Sequence, residues 1–381
     1  MLQGTIINLL RSLATRKRIV DLEASLVKTV LVVELTRLGD VMVVLPFLDQ
    51  LHQIFPNARM RVLVRQDYAA LLDLLEVRCE FVGIPRPSTA GGLARAVRYA
   101  RSNEVDLAVS MSPPRRNALV TLACRSRFKL GYLSEVDSLT PFLDSTPVES
   151  FGFDLPARVA YERENIYERP GKILRGLGVT PWSSPWHADL NPDRSSAART
   201  RLAQEGRIPR RPYVLLHPFS GWHYRNWPLD NFLSLGEKIQ TQLGYDVVMS
   251  AEIKDLERIS RSLEGRPQLR AILSSDLPEM AVLTKDAQLV VGNDSGPLHL
   301  ASVLNRKIVG LFGPAPAELT APRGGSYLYR KVDCSPCDQR RCIRPDHSCM
   351  TLLGVDEVFA AVTRALQSPV TTEPLTTHVE N

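Results

Sequence analysis

The stretch Leu289-Val290-Val291-Gly292-Asn293-Asp294-Ser295-Gly296-Pro297-Leu298-His299-Leu300-Ala301-Ser302-Val303-Leu304, running on to Lys307-Ile308-Val309-Gly310-Leu311-Phe312-Gly313-Pro314, decides the fold. Leu289 to Val291 is a short apolar run that reads as a buried strand. A polar, glycine-containing turn stops it, and a short apolar helix follows. Pro297 suits a first helical position, where a missing N–H has no partner to lose, and Ser295 or Gly296 can act as N-cap. Ile308 to Phe312 gives the next strand. Such a strand–turn–helix–strand unit aims backbone N–H groups and the positive end of a helix dipole out of the carboxyl edge of a sheet. That edge is where α/β proteins hold phosphates. Asp294 and His299 flank the turn, and the whole pattern points to an anionic ligand.

Working outward, the same alternation fills the chain. Strands are expected at Val30–Leu35, Arg61–Val64, Phe81–Ile84 and Asp106–Met111. Helices are expected over Val41–Phe55, Tyr68–Leu75 and Leu93–Ser102, with Pro46 bending the first or delaying its start. The stretch Val179–Arg194 is rich in proline and polar residues without periodicity and reads as a linker. A second series then runs through Tyr213–His217, Asn231–Leu243, Asp246–Ser250, Asp255–Leu263, Leu269–Leu273 and Pro278–Thr284 to the opening unit. An amphipathic helix, Val355–Leu366, closes the series, and the polar tail from Ser368 to Asn381 reads as disordered. The fold class is α/β, with two Rossmann-like doubly wound domains facing a cleft. Neither half carries a G-x-G-x-x-G fingerprint, which argues against a dinucleotide dehydrogenase.

A chain of 381 residues suits two domains, and 44% hydrophobic with 23% charged residues is ordinary for a globular protein. The net charge of +6 suits an anionic substrate or membrane face but is too diffuse to argue for nucleic acid. No apolar run approaches the roughly 20 residues of a membrane span. As a helix, the N-terminus would group Ile6, Leu9, Leu10 and Leu13 on one face, with Arg11, Arg16, Lys17 and Arg18 around it. Membrane-surface contact and peripheral packing both account for that pattern. The N-terminus lacks the order and cleavage site of a signal peptide, and the six cysteines do not suggest a disulfide-built secreted domain, so a cytoplasmic setting is expected.

Three blocks resemble glycosyltransferase family 9, the ADP-heptose:lipopolysaccharide heptosyltransferases. They are Val32-Val33-Glu34-Leu35-Thr36-Arg37-Leu38-Gly39-Asp40-Val41 with Leu45-Pro46; His217-Pro218 with Arg225-Asn226-Trp227-Pro228; and Asp294 to Ala301 with Leu311-Phe312-Gly313-Pro314. The resemblance implies a GT-B fold and inverting, metal-independent transfer of heptose from ADP-heptose to a lipopolysaccharide core or similar glycolipid. It divides the chain into a basic extension (1–27), an acceptor-side domain (28–178), a linker region (179–211), a nucleotide-sugar-binding domain (212–367) and the tail (368–381). The implied setting is cytoplasmic and peripheral at the inner membrane face, with weak anionic contact.

Within that resemblance Asp40, just after a strand, is the candidate general base, since a carboxylate in hydrogen-bond reach can take the acceptor's proton. A helix-capping role accounts for the same position. Arg225 stands where the family's pattern has Lys and would neutralise the leaving diphosphate. Ser220 lies in a phosphate-contacting loop, and Ser295 and Gly296 offer backbone to phosphate. Asp294 would contact a sugar hydroxyl, and His299 belongs to the same donor-binding block. A helix cap and a satisfied core histidine account for these last two positions equally. Asp255 is a candidate for the ribose hydroxyls, with a surface helix carboxylate as the bland alternative. The run Cys334-x2-Cys337-x4-Cys342-x6-Cys349 has spacing that can close around structural zinc or iron, with His347 nearby. Reduced thiols without metal fit the same spacing, and Cys79 and Cys124 read as small buried apolar residues. Transfer to a protein or another glycan, a catalytically silent sugar-nucleotide-binding protein, and a nucleotide-sugar epimerase remain as alternatives.

Overall fold

The computed structural model describes residues 23–112, 115–134, 155–159, 165–181, 186–267, 269, 271–274, 276–337, 342–368 and 375–378. The amphipathic stretch Thr5–Arg18 lies outside them. Two compact units divide the chain, one made of residues up to Asp73 and Val77–Ser183, the other of Leu74–Glu76 and Ser184 onward.

The N-terminal unit is built on six strands: β1 (Thr29–Val33), β2 (Arg59–Arg65), β3 (Glu80–Ile84), β4 (Glu104–Ser110), β5 (Arg125–Ser134) and β6 (Leu155–Val159). They pair in parallel in the order β3-β2-β1-β4-β5-β6. The TVLVV sequence of β1 is buried from Val30 to Val33, as expected of a β-branched central strand covered on both faces. Strand order reverses between β1 and β4, which opens a crevice beyond their carboxyl ends. Helix Leu38–Ile54 follows β1 and is buried nearly all round, including Val41, Met42, Val43, Val44 and Leu45. It begins well before Pro46 and continues through it. The missing hydrogen bond costs about 3 kcal/mol, which that burial offsets.

The C-terminal unit repeats the scheme with β7 (Tyr213–His217), β8 (Asp246–Ser250), β9 (Ala271–Ser274), β10 (Leu289–Asn293), β11 (Ile308–Phe312), β12 (Ser326–Tyr329) and β13 (Leu375–His378). The order is β13-β12-β11-β10-β7-β8-β9, with every pairing parallel. Here the reversal falls between β7 and β10. Helix Leu229–Lys238 runs on as a π-helical turn, Ile239–Leu243, and ends at Gly244, whose φ of 74° favours glycine.

Three stretches differ from their sequence reading. The region 179–211 carries helix Pro192–Gln204, capped by the Asn191 side chain and packed through Ser195, Ala198 and Leu202. Residues 74–76 pair with 189–191 and so join the C-terminal unit. The tail contributes β13, in register with β12 from Ser326–Leu375 to Tyr329–His378, because the threonine-rich LTTH segment suits an edge strand.

Candidate functional site

In the N-terminal unit, Asp40 sits in the first turn of helix Leu38–Ile54, where its Oδ2 accepts the Arg37 N–H at 3.3 Å. It therefore caps the helix, as the plainer sequence reading expected, and that contact also fixes the carboxylate at the carboxyl end of β1. Burial raises its pKa above the ordinary range, opposed by hydrogen bonds from Arg37 and Thr36 and by the charges of Arg169 and Arg37. A carboxylate so held is a stronger base than a solvated one. The Tyr68 hydroxyl accepts the Leu38 N–H beside it.

Below Asp40 lies a group that sequence reasoning passed over. Glu34, the residue after β1, is fully buried. Its carboxylate accepts hydrogen bonds from the hydroxyls of Thr36 and Ser112 and, at 3.3 Å, from the Asn117 amide. Asn117 is fixed in turn, since its Oδ1 accepts the Leu35 N–H at 3.0 Å. Burial, then the Asp40 charge, push Glu34 up to about 7. The sequence did carry one signal: an apolar strand buried on both faces runs straight into a charged residue.

In the C-terminal unit the sites after β7 and β10 flank the strand reversal. Arg225 Nη1 lies 2.8 Å from Asp294 Oδ2, so the candidate phosphate cation and the acid of the opening turn form an ion pair. Asn293, at the end of β10, braces the loop after β7: its Oδ1 accepts the Trp227 N–H at 2.9 Å, and its amide donates to Pro218 O at 2.7 Å. Ser295 is the N-cap of helix Gly296–Val303, with Pro297 at its second position. The positive end of that helix therefore opens beside the Arg225–Asp294 pair. His299 is buried, and burial together with the Arg225 charge lowers its pKa to about 4, leaving a neutral imidazole. His217 is lowered to about 4 as well, by burial, with its Nδ1 2.9 Å from Ser250 Oγ.

Ser220 serves the loop itself. Its N–H donates to Asn226 Oδ1 at 2.8 Å, and its hydroxyl lies within hydrogen-bond distance of Trp222 O and Asn226 Oδ1. Asp255 lies in the first turn of helix Ile253–Glu264, one strand away from the ion pair, beyond β8. That helix docks on the loop through Arg258, whose guanidinium lies 5.5 Å over the Phe219 ring.

The cysteine segment packs on the same carboxyl edge. Cys337 N–H donates to Pro314 O at 3.0 Å, and a Cβ on Gly313 would meet Met350 Sδ at 2.5 Å and Cys349 Sγ at 3.0 Å. The His347 ring lies 5.1 Å from that of Tyr224, the neighbour of Arg225. Burial pushes Cys349 up to about 11, with Cys342, Cys334 and Cys337 adding to the shift. Among the described residues, however, no three His, Cys, Asp or Glu are placed to hold a metal ion.

The chain is built of two doubly wound parallel-sheet units, with a buried carboxylate of raised pKa at one strand reversal and an ion-paired arginine at the other. Residues 93–346 match glycosyltransferase family 9 (heptosyltransferase), so the chain belongs to that family and is a glycosyltransferase. It is similar to lipopolysaccharide heptosyltransferase 3 of Escherichia coli, at 22% identity over 87% of this chain and 98% of that one. Among solved structures it resembles the family 9 glycosyl transferase of Veillonella parvula (TM-score 0.72, 18% identity, 91% and 99% of the two chains). It also resembles E. coli heptosyltransferase WaaC with ADP (TM-score 0.65, 16%, 88% and 99%). A fourth similarity is to the iron-containing dodecameric glycosyltransferase TibC from enterotoxigenic E. coli (TM-score 0.55, 16%, 91% and 78%).

Proposed function

We propose that this glycosyltransferase transfers heptose from ADP-heptose to a hydroxyl of a lipopolysaccharide core or similar anionic glycolipid, with inversion and without a catalytic metal. The observation that carries this reading is Asp40, a carboxylate of raised pKa held at the strand reversal of the N-terminal unit and flanked by Arg37 and Arg169. Asp40 takes the acceptor proton as the oxygen attacks the anomeric carbon. Arg37 and Arg169 suit an acceptor that carries phosphate or carboxylate. On the donor side, Arg225 and the positive helix end at Ser295–Gly296 balance the charge that grows on the departing diphosphate. Asp294 holds the guanidinium in place, and neutral His299 offers a hydrogen bond without adding charge. The WaaC structure with ADP supports an adenine nucleotide as donor, and TibC has been solved with ADP-D-beta-D-heptose.

Asp40→Asn tests the reading, because it keeps shape and removes basicity. Turnover should fall about 10²–10⁴-fold while ADP affinity, measured by calorimetry, stays put. Near-normal turnover by Asp40→Asn would remove Asp40 from the chemistry.

A further inference from the structure

The pairing of β7 with β10 runs as far as His217 and Gly292. Beyond it, on the β7 side, the chain enters Pro218, which has no N–H to offer, and then the loop that carries Ser220 and Arg225. On the β10 side stand Asn293 and then Asp294. The Asn293 side chain takes over where the ladder stops. Its amide donates to Pro218 O at 2.7 Å, at one end of the loop, and its Oδ1 accepts the Trp227 N–H at 2.9 Å, at the other. A backbone carbonyl only accepts and a backbone N–H only donates, so a primary amide in one orientation satisfies both. Asn293 is completely buried, which makes either bond costly to lose.

Between those ends the loop is stitched to itself. The Ser220 N–H donates to Asn226 Oδ1 at 2.8 Å, and the Arg225 N–H donates to Trp222 O at 2.9 Å across the single turn His223–Arg225. Trp227 is held from the other side, where its Nε1–H donates to Leu353 O at 2.8 Å. Asn293 therefore ties the Pro218 end of the loop to a fixed point.

We propose that Asn293 is a positioning residue that acts through Arg225: by way of the loop backbone it sets where the guanidinium stands. This rests on the reading of Arg225 as the cation for the departing diphosphate. Asp294, the next residue, holds the head of the same arginine through the 2.8 Å contact of its Oδ2 with Nη1. Two successive side chains thus fix one arginine at its backbone and at its head. Arginine presents a rigid planar fork, so its contact with phosphate depends on angle as well as distance. A fork ordered before the donor arrives spends no binding energy on being ordered. A brace that served the fold alone would be felt equally by every nucleotide bound to the C-terminal unit. A brace for Arg225 is felt by the phosphate that Arg225 meets.

The test compares ADP with AMP, which lacks the terminal phosphate, by calorimetry on the full chain. Wild type, Asn293→Ala, Asn293→Asp, Arg225→Ala and the double variant Asn293→Ala with Arg225→Ala are measured, each with its melting temperature. Asn293→Ala should weaken ADP about tenfold or more, since a misplacement of about 1 Å can cost about 10²-fold, and leave AMP unchanged. Asn293→Asp keeps the shape and the acceptor for Trp227 but has no proton for Pro218 O, so it should show the same selective loss. If Asn293→Ala fails to fold, Asn293→Asp carries the comparison. Arg225→Ala should lose the same preference for ADP, and adding Asn293→Ala to it should weaken ADP no further, as residues acting in series require. Equal weakening of ADP and AMP by the Asn293 variants overturns the proposal, as does a double variant whose loss is the product of the two single losses. Wild-type ADP affinity in Arg225→Ala is a separate outcome, which removes Arg225 from the donor site and its brace with it.

Discussion

His299 and Glu34 tie stability to pH in opposite directions. His299 is lowered from 6.5 to about 4 by burial and by Arg225, so between those values the unfolded chain binds a proton that the folded one refuses. Its contribution is present above pH 6.5 and is lost as pH falls toward 4, by about 3 kcal/mol from a shift of this size. Glu34 is raised from 4.5 to about 7, so its contribution is full below 4.5 and is lost as pH rises through 7. The melting-temperature advantage of wild type over His299→Gln should therefore shrink between pH 7 and pH 5. An advantage that stays constant would mean that His299 titrates as a solvated imidazole. Residues of this kind were unevenly legible. Asp40 and Asp294 follow strands in readable turns, whereas Glu34 meets Ser112 and Asn117 across separations of 78 and 83 residues. No local periodicity reports a contact that only strand order creates.

Elements that alternate period-2 and period-3.6 patterns were read closely: Tyr213–His217, Asp246–Ser250 and Ile308–Phe312 stand where the residues put them. The cysteine segment was not, because it has no periodicity and its packing is set by the surface it covers. That surface is the end of β11, where Gly313 leaves no space for a side chain beneath Met350 and Cys349. Gly313→Ala should cost about 1–3 kcal/mol through overpacking, seen as a lower melting temperature. It should also weaken ADP binding, because the same segment sets His347 against Tyr224 beside Arg225. A stable Gly313→Ala protein with unchanged ADP affinity would separate the cysteine segment from the donor site.

Across the whole molecule, the two-fold repetition of a doubly wound sheet was legible from alternation alone, while the transfer of residues 74–76 to the C-terminal unit was not. A three-residue pairing with 189–191 has no sequence signature of its own. Charge acts at this scale too. The chain carries a net +6, and among the described residues no helix is long and apolar enough to cross a membrane. Arg16, Lys17 and Arg18, which follow Ile6, Leu9, Leu10 and Leu13 in the sequence, would give the chain an electrostatic means of visiting an anionic surface. Each such cation contributes about 1 kcal/mol near a charged leaflet, and the attraction is screened beyond roughly 8 Å at physiological salt. Binding should therefore be weak and strongly salt-dependent. The protein should co-sediment with vesicles containing phosphatidylglycerol at low salt and be released as salt rises. The triple change Arg16→Glu, Lys17→Glu and Arg18→Glu should reduce co-sedimentation while leaving ADP affinity unchanged. Co-sedimentation indifferent to salt and to that change would shift the acceptor from a membrane glycolipid to a soluble molecule.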